Sequence, residues 1–553
     1  MNNFISIRNG NIDVFLSYKK LKSISKFIEK NDVTVAIYCL VIISLFSFLF
    51  FYDNRLGIAY NDARSHLNIG RRVVEGLKPG LAQLGSVWLP LPHFLMTPTV
   101  WVDSLWHSGL AGALVSMGSF VLTGALIYIY LKKLGVGVLG RIVGISAFIL
   151  NINILYLQST AMTELLLMAT MTAGVYYLIN WHGDDNILNL IKSAFWIMLS
   201  TLVRYDGWFL LFFSVLLVAI HAYRKKGYKF AEGSVVLFLT MGAFGIFLWL
   251  LWNLLIFKDP LYFAYGPFSA HTQQLQLLEA GELPTKSNLF LSIKVYLYAL
   301  AYNSYTVPVA MSLLGVITLI FDDKVKNEVK LASISLFAPL FFNILALYLG
   351  HSVLMVQGIS GNSWFNVRYG IMLLPTFAIF IGFLIDRVRK LNYVFIGTFI
   401  LITFFAFANF DAVTVDDARY GSSQKNVSEV SSWLNENTGN RKGFVLISAA
   451  SHDAIIFSSG LPMSKFIHEG TGLYWDNAMV APDKWARWIV MRTNDENDMT
   501  FRQIKDTFGF SRYELVDSYP FADIYELEPE FLGTLNTEPV FKNQHYKSYI
   551  SSR

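Results

Sequence analysis

The passage from membrane to water is clearest in residues 33–72, which read VTVAIYCLVIISLFSFLFFYDNRLGIAYNDARSHLNIGRR. The first part, Val33–Tyr52, carries no charged residue. Its length is enough to cross the hydrocarbon core of a bilayer, which takes about 20 apolar residues in a helix. A polar and strongly charged segment follows at once. The stretch therefore predicts a membrane-spanning helix that delivers ionisable side chains to one membrane surface.

The composition extends this pattern to most of the chain. Of 553 residues, 54% are hydrophobic and 15% are charged, and the mean hydropathy is +0.45. Ordinary globular chains contain about 25% charged residues, so these values exclude both a soluble globular protein and a disordered one. The basic residues stand in short clusters between apolar runs, which indicates membrane orientation and no nucleic-acid partner. Cys39 is the only cysteine, which excludes an intramolecular disulfide.

The membrane topology follows from the basic clusters. Residues 1–32 are predicted to be a cytoplasmic amphipathic segment, because five lysines between positions 19 and 30 alternate with apolar residues. Residues 33–410 are predicted to hold about eleven transmembrane helices. After Val33–Tyr52, the predicted spans are 104–131, 139–157, 163–181, 190–203, 207–223, 232–257, 303–321, 331–350, 367–385 and 391–410. Basic residues concentrate in alternate loops, which places the N-terminus in the cytoplasm.

An odd number of crossings places residues 411–553 on the extracytoplasmic side. This tail is richer in charge than the membrane part. Short β-rich runs alternate in it with polar helical stretches, including Val427–Asn437 and Phe501–Phe508, so the tail is predicted to be a soluble α/β domain. The predicted strands are Gly443–Ser448, Lys465–His468, Trp485–Met491, Tyr513–Tyr519 and Ala522–Leu527.

The first outside loop, residues 53–103, is much longer than a turn. Asn61 or Asp62 is expected to cap a helix that runs to about Glu75 and ends at Gly76. Asp62 and His66 are one turn apart on that helix, so a carboxylate and an imidazole share one face. Arginines on this side run against the orienting rule. An interfacial helix whose Arg71 and Arg72 meet lipid phosphates is one explanation, and a functional site is the other.

Three further ionisable residues stand at span ends on the same predicted side: Glu164, Arg204 and Arg368. A tyrosine follows each arginine, Tyr205 and Tyr369. Charges at membrane depth are costly and usually face a polar cavity, so these residues are candidates for function. The alternative is that Glu164 pairs with Arg204 or Arg368 and only holds helices together.

This set of groups suits a substrate that is both lipid and phosphate. Guanidinium groups bind phosphate through paired hydrogen bonds and stabilise a departing phosphate. A carboxylate near an acceptor hydroxyl can act as a general base. The residues therefore indicate transfer of a group from a lipid-phosphate carrier at the extracytoplasmic membrane face.

At this point the sequence resembles the GT-C glycosyltransferases, in particular the branch of protein O-mannosyltransferases and lipid A aminoarabinose transferases. The first loop of that branch typically reads Asp-Glu-Ala-Arg-Tyr, and here residues 61–65 read Asn-Asp-Ala-Arg-Ser. A proline-rich stretch follows in both, here Trp88-Leu89-Pro90-Leu91-Pro92-His93. The resemblance covers the layout of the membrane part, whereas the matching motifs are short.

The resemblance implies a sugar donor on a polyprenyl phosphate and an inverting single displacement. It assigns the catalytic carboxylate of the first loop to Asp62, which is expected to act as the general base for the acceptor hydroxyl. In the mechanism that we expect, Glu164 orients the acceptor or an arginine. It implies phosphate-binding roles for Arg64, Arg204 and Arg368. Residues expected to bind substrate are His66, Trp88, Tyr205, His271 and Tyr369. A divalent metal ion is an open expectation, and His271, in the predicted outside loop Lys258–Asn288, is a candidate to bind a metal or a phosphate.

The sequence departs from that branch at two places. Asn61 stands where the first of two acids is expected, so either the register shifts by one residue or a single carboxylate is catalytic. Trp88 and Leu89 replace the Glu-Lys that precedes the prolines in aminoarabinose transferases, which argues against lipid A aminoarabinosylation and removes an expected metal ligand.

The expected partners are a polyprenyl-phosphate-linked sugar, a lipid, glycan or protein acceptor, and the lipids of a plasma membrane that the chain crosses several times. Two other classes of function stay open: a transporter or flippase of lipid-linked glycans, and a non-catalytic assembly factor. A transporter is expected to carry polar groups near the middle of several spans. Here the ionisable residues collect at one face, which favours chemistry at that face.

Overall fold

The computed structural model describes residues 5–8, 11–14, 31–267, 269–279, 281–421 and 426–536. Strands β1 (Ile5–Arg8) and β2 (Asn11–Val14) form an antiparallel hairpin at the N-terminal end. The lysine-rich amphipathic segment predicted at 19–30 lies outside the described residues. From residue 31 the chain divides into two compact units, which are described separately.

The first, called the helical unit, contains the residues up to Gly57, Ala113–Leu250 and Gln276–Asp417. The following helices belong to it wholly or in part: Asp32–Asp53, Leu110–Lys133, Val138–Ile149, Ile152–Leu157, Glu164–Asp184, Ile187–Thr201, Asp206–Lys226, Tyr228–Gly242, Phe244–Phe257, Leu289–Ser304, Thr306–Phe321, Asn327–Ile334, Ala338–Leu349, Leu374–Arg387, Asn392–Asn409 and Val413–Tyr420. Two 3₁₀ segments, Ser335–Phe337 and Val367–Leu373, each run directly into a following helix.

Glycines bring two of these helices into close contact. A Cβ atom at Gly140 would lie 2.5 Å from the carbonyl oxygen of Gly382, and one at Gly144 would lie 2.9 Å from that of Ala378. Small residues four apart let helix backbones approach in this way, which stabilises helix pairs in a membrane through dispersion contacts. The pairing of Val138–Ile149 with Leu374–Arg387 therefore follows from the sequence.

Six described helices are long and apolar enough to cross a membrane, and up to eight when each bent pair counts as one span. They are Asp32–Asp53, Leu110–Lys133, Asp206–Lys226, Asn327–Leu349, Val367–Arg387 and Asn392–Tyr420. Side chains such as Phe46 and Phe404 are 71% and 63% exposed, as expected where lipid covers the helix. The polytopic helical fold is confirmed, whereas the number of eleven spans is not.

The least regular predicted spans are broken in the structure. The run predicted at 139–157 divides into Val138–Ile149 and Ile152–Leu157, because Asn151 caps the second helix by accepting from the backbone N–H of Ile154. Leu289–Ser304 and Thr306–Phe321 meet at an angle of 105°, with Tyr305 at a positive φ of 60° between them.

The second, called the sheet unit, contains Ile58–Gly112, Leu251–Leu275 and the residues from Ala418 onward. Its helices, wholly or in part, are Asn61–Val74, Leu91–Val100, Asp103–His107, Tyr262–Tyr265, Ala270–Glu279, Ser428–Thr438, Ala449–Ser458, Leu473–Val480 and Met499–Ile504. Its 3₁₀ turns are Leu81–Leu84, Met463–Lys465, Glu469–Thr471, Pro482–Lys484, Phe508–Arg512 and Pro529–Thr534.

The sheet of this unit has five strands in the order β4-β3-β5-β7-β6. The strands are β3 (Phe444–Ile447), β4 (Phe466–Ile467), β5 (Ala486–Met491), β6 (Tyr513–Tyr519) and β7 (Ala522–Leu527). Strand β3 pairs in parallel with β4 and β5, and β7 pairs antiparallel with β5 and β6. Every strand lies within a run predicted from the sequence, and the α/β fold of the tail is confirmed.

The helix predicted after Tyr60 is present with a different start. It spans Asn61–Val74, and Tyr60, in extended conformation, precedes it without a side-chain capping bond. The expected cap by Asn61 or Asp62 is therefore wrong, because both residues already lie in the first turn. A carboxylate there still interacts favourably with the positive helix end. The predicted end is nearly right, since Glu75 leaves the helix and Gly76 has φ of +133°.

Candidate functional site

Glu164 is the centre of a buried cluster of charges in the helical unit. It begins the helix Glu164–Asp184 and is fully buried. Its Oε1 atom lies 3.5 Å from Nη1 of Arg204 and 3.3 Å from Nε of Arg368. The pairing offered as the alternative explanation is therefore present, and two of the three arginines predicted to bind phosphate, Arg204 and Arg368, meet at one carboxylate.

Two further carboxylates complete this group, called here the arginine cluster: Glu164, Arg204, Arg368, Asp206 and Asp417. Arg204 Nε lies 3.4 Å from Asp206, and Arg368 Nη1 lies 3.8 Å from Asp417. All five side chains are buried or nearly so. Three acids thus face two arginines.

Sequence reasoning did not assign Asp206 or Asp417 to the site. The sequence does mark Asp206 as a candidate, because it stands two residues after Arg204 at the start of an apolar helix. It does not mark Asp417, because the helix Val413–Tyr420 falls in the predicted soluble tail. Asn343, which donates to Asp206 Oδ1 at 2.9 Å, lies in the middle of an apolar run.

One aromatic ring serves both arginines. The guanidinium carbon of Arg204 lies 4.6 Å from the ring centroid of Tyr369, and that of Arg368 lies 5.3 Å from it. A cation over an aromatic face is held without using its hydrogen-bond donors. Tyr205 lies beside Trp208, with ring centroids 5.3 Å apart. Tyr369 therefore packs against both guanidinium groups of the arginine cluster, and Tyr205 is the residue that follows Arg204 in the chain.

The two arginines differ in access. The Arg204 side chain is 19% exposed and that of Arg368 is 4% exposed. The contacts of Arg204 with Thr163, Glu164 and Asp206 are 3.4–3.5 Å long, whereas strong N–H···O bonds measure about 2.7–3.2 Å. Arg204 is therefore accessible to a phosphate ligand, and its hydrogen bonds to protein groups are weak.

The remaining predicted residues lie in the sheet unit. Asp62 is half-buried in the first turn of Asn61–Val74. Arg64 Nε donates to the carbonyl of Ile58 at 2.9 Å, so its side chain braces the entry to the helix. His271 lies in Ala270–Glu279, with its ring 5.8 Å from that of Tyr265.

His66 and Trp88 are brought together by a residue that sequence reasoning did not single out. Nδ1 of His66 lies 2.8 Å from Nε2 of His93, and the rings of His66 and Trp88 are 4.3 Å apart. His93 is fully buried at the start of Leu91–Val100. Burial, with the charges of His66 and Arg72, holds the pKa of His93 well below its usual range.

Arg71 and Arg72 are engaged by protein groups. Arg71 donates to the carbonyls of Val100 and Trp101 at 2.6 and 2.8 Å and pairs with Glu75 and Asp103. This group is called the loop anchor. The explanation through lipid phosphates thus loses its support for Arg71, whose donors are used inside the unit.

Arg72 and Asn68 connect the helix Asn61–Val74 to the tail. Asn68 Nδ2 donates to Asp453 Oδ1 at 2.8 Å, and Arg72 Nη2 lies 3.5 Å from Asp453 Oδ2. Burial raises the pKa of the Asp453 carboxyl, with Arg72 and Asn68 opposing the shift. The first loop and the C-terminal domain therefore form one structural unit.

No group of three or more His, Cys, Asp or Glu residues is placed to hold a metal ion anywhere in the part of the chain that the structure describes. The divalent metal ion left open from the sequence therefore stays a prediction.

Neither a family model nor a curated protein matches the sequence. Solved structures do. ArnT from Cupriavidus metallidurans bound to undecaprenyl phosphate aligns with 89% of this chain and 98% of that chain, at a TM-score of 0.55 and 10% identity. The chain has the GT-C fold. ArnT in the apo state aligns with 90% of this chain and 99% of that chain, at 0.54 and 11%.

An oligosaccharyltransferase of Archaeoglobus fulgidus, solved with Zn and sulfate, covers 82% of this chain and 67% of its own, at a TM-score of 0.47 and 10% identity. The GT-C fold predicted from the first loop is confirmed by the ArnT alignments, which extend over nearly the full length of both chains. The roles of Asp62, Arg204 and Arg368 remain predictions.

Proposed function

We propose that this membrane protein is a glycosyltransferase of the GT-C type that moves a sugar from a polyprenyl-phosphate donor to an acceptor hydroxyl. The observation that carries the proposal is the arginine cluster, in which Arg204 is reachable and weakly held at the ends of apolar helices. The fold adds support, because ArnT has been solved with undecaprenyl phosphate bound. The acceptor is a lipid, a glycan or a protein.

The donor phosphate binds at Arg204. Its guanidinium exchanges long contacts with Glu164 and Asp206 for shorter ones to phosphate oxygens, and charge-assisted bonds of that kind are the stronger ones. Tyr369 holds the guanidinium by its face during this exchange. Arg368 stays buried and keeps Glu164 in place. Arg64 braces the loop helix in this scheme.

Transfer is a single displacement. The acceptor oxygen forms a bond to the anomeric carbon while the bond from that carbon to the phosphate oxygen breaks, and its electron pair leaves with the phosphate. The acceptor proton passes to the Asp62 carboxylate, as general-base catalysis requires. Attack from the face opposite the leaving group inverts the anomeric centre.

The reaction takes place at the extracytoplasmic face of a plasma membrane, with the N-terminus in the cytoplasm and the tail from residue 411 outside. The basic loops support this orientation.

The test uses the full chain in proteoliposomes with undecaprenyl-phosphate sugars labelled in the sugar. A glycosyltransferase releases undecaprenyl phosphate as the label enters an acceptor from membranes of the expressing host. Movement of intact lipid-linked sugar across the bilayer without release of the lipid phosphate would instead show a flippase and overturn the proposal.

A further inference from the structure

Asn343 is a buried amide in an otherwise apolar helix of the helical unit. It lies in Ala338–Leu349, which reads APLFFNILALYL, and is 2% exposed. Its Nδ2 atom donates to Asp206 Oδ1 at 2.9 Å and to the carbonyl oxygen of Pro339 at 2.8 Å. Because a carboxylate and a carbonyl both accept, the nitrogen of the amide faces them and both of its hydrogens are used. A polar group inside an apolar span is costly, so Asn343 is a candidate for function.

The amide of Asn343 and the guanidinium of Arg204 contact different oxygens of Asp206. Oδ1 accepts from Asn343 at 2.9 Å, whereas Oδ2 lies 3.4 Å from Nε of Arg204. A carboxylate and an arginine that pair without competition form two parallel bonds of about 2.7–2.9 Å. Asp206 is therefore held by the amide in a position from which it pairs only loosely with the neighbouring arginine.

Glu164, the other acid beside Arg204, also has a second donor. Its Oε1 atom lies 3.3 Å from Nε of Arg368 and 3.5 Å from Nη1 of Arg204. Each carboxylate next to Arg204 is thus bound by another group, Arg368 for Glu164 and Asn343 for Asp206. This division of partners explains why the contacts of Arg204 with both acids are long.

We propose that Asn343 is a positioning residue for the donor phosphate: by donating to Asp206 Oδ1, it keeps this carboxylate from pairing fully with Arg204, whose guanidinium stays available to phosphate oxygens. This rests on the proposed function, because the phosphate is that of the polyprenyl donor. Without the amide, Asp206 turns both oxygens toward Arg204, and the phosphate has to displace a carboxylate. Asn343 itself makes no contact with substrate in this scheme.

The first test measures binding and needs no turnover. Undecaprenyl phosphate is titrated into the full chain in detergent micelles, and native mass spectrometry gives its Kd. Asn343→Leu removes both donors and is expected to raise this Kd about tenfold, as for the loss of one hydrogen bond. Gln158→Leu removes another buried amide, which accepts from Ser44 Oγ at 2.7 Å, and should keep the wild-type Kd. An unchanged Kd in Asn343→Leu, or an equal rise in Gln158→Leu, would reject the inference.

A double variant separates positioning from packing. Asp206→Asn removes the charge that competes with the phosphate for Arg204. In this background, Asn343→Leu should change the Kd of undecaprenyl phosphate by less than about twofold, because the effect of the amide passes through the carboxylate. An amide that only packs two helices together would raise the Kd by the same factor in both backgrounds, which would overturn the proposal.

The kinetic test uses undecaprenyl-phosphate sugars in proteoliposomes. Asn343→Leu should raise the donor KM about tenfold with a smaller change in kcat, because the change acts on binding of the donor phosphate. A fall in kcat at constant donor KM would contradict the positioning role. A wild type that binds undecaprenyl phosphate but transfers no sugar would overturn the proposed function alone, since the Kd values still decide the role of Asn343. A wild type that binds no undecaprenyl phosphate would overturn both.

Discussion

The arginine cluster and the loop anchor are two ionic groups built from the same residue types, yet their contacts differ. In the loop anchor, Arg71 donates to two carbonyls at 2.6 and 2.8 Å and pairs with two carboxylates. In the arginine cluster, four ion pairs of Arg204 and Arg368 are 3.3–3.8 Å long. An arginine with all donors well used stabilises a fold, whereas one with long contacts is able to exchange them for a ligand.

Asp62→Asn should give the largest effect on activity, because in the proposed displacement the Asp62 carboxylate takes the proton of the acceptor hydroxyl. General bases contribute about 10²–10⁴-fold to rate, so kcat for sugar transfer is expected to fall by that factor with donor binding retained. The measurement is transfer from a labelled undecaprenyl-phosphate sugar in proteoliposomes. Asp53→Asn, at an exposed carboxylate after the first span, is the control. Full activity of Asp62→Asn would remove the base from the scheme.

Arg71→Ala should give the largest effect on stability. It removes the partner of Glu75 and of the Val100 carbonyl, whereas Asp103, whose side chain is 73% exposed, can be hydrated by water. Loss of a hydrogen bond to a charged group costs about 1.5–3 kcal/mol. Thermal unfolding in detergent should report a clear loss, with Arg55→Ala, an exposed loop residue, as the control. An unchanged midpoint would show that short contacts do not distinguish a structural arginine here.

Most of the fold could be predicted from the sequence, because the spacing of apolar residues and the hydropathy are local properties. All five strands of the tail fell within predicted runs, and the loop helix ended within two residues of the predicted Gly76. The failures have local causes too. Asn151 interrupts an apolar run by capping a new helix, and Tyr305 takes a positive φ, neither of which hydropathy records.

Only part of the site could be predicted from the sequence, because the ion pairs between its residues depend on which helices pack together. Glu164, Arg204 and Arg368 stood out as charges at span ends, and they do come together. Asp417 and Asn343 join them from distant segments, and nothing in their sequence neighbourhood marks them. His93 was visible only as part of a proline-rich stretch, although it fixes the ring of His66.

Arg204→Ala tests whether an arginine with long contacts serves ligand binding more than stability. Hydrogen bonds to charged groups contribute about 1.5–3 kcal/mol, so kcat/KM for the donor should fall about 10- to 100-fold. This change should lower the thermal midpoint less than Arg71→Ala does, because the contacts it removes are long and the buried carboxylates keep other partners, Arg368 for Glu164 and Asn343 for Asp206. Arg224→Ala, at an exposed helix end, is the control. A stability loss equal to that of Arg71→Ala would make Arg204 structural.

The stability of the sheet unit should depend on pH through His468, a buried histidine that is neutral in the folded chain. Burial, together with the charge of Arg72, lowers the pKa of His468 from 6.5 to about 3. An unfolded chain then binds the proton more tightly than the folded one, so the stabilisation is complete above pH 6.5 and is lost as pH falls below it.

At pH 5 this amounts to about 2 kcal/mol, from 1.36 kcal/mol for each pH unit. The measurement is the free energy of unfolding in urea between pH 7 and pH 5, for the wild type and for His468→Asn. Asparagine retains an acceptor for the Gly470 N–H, which His468 Nδ1 accepts at 3.1 Å, but it does not titrate. The variant should therefore lose less stability on acidification, with the remaining slope due to other groups such as His93. Parallel curves for the two proteins would mean that His468 is solvated in the folded chain.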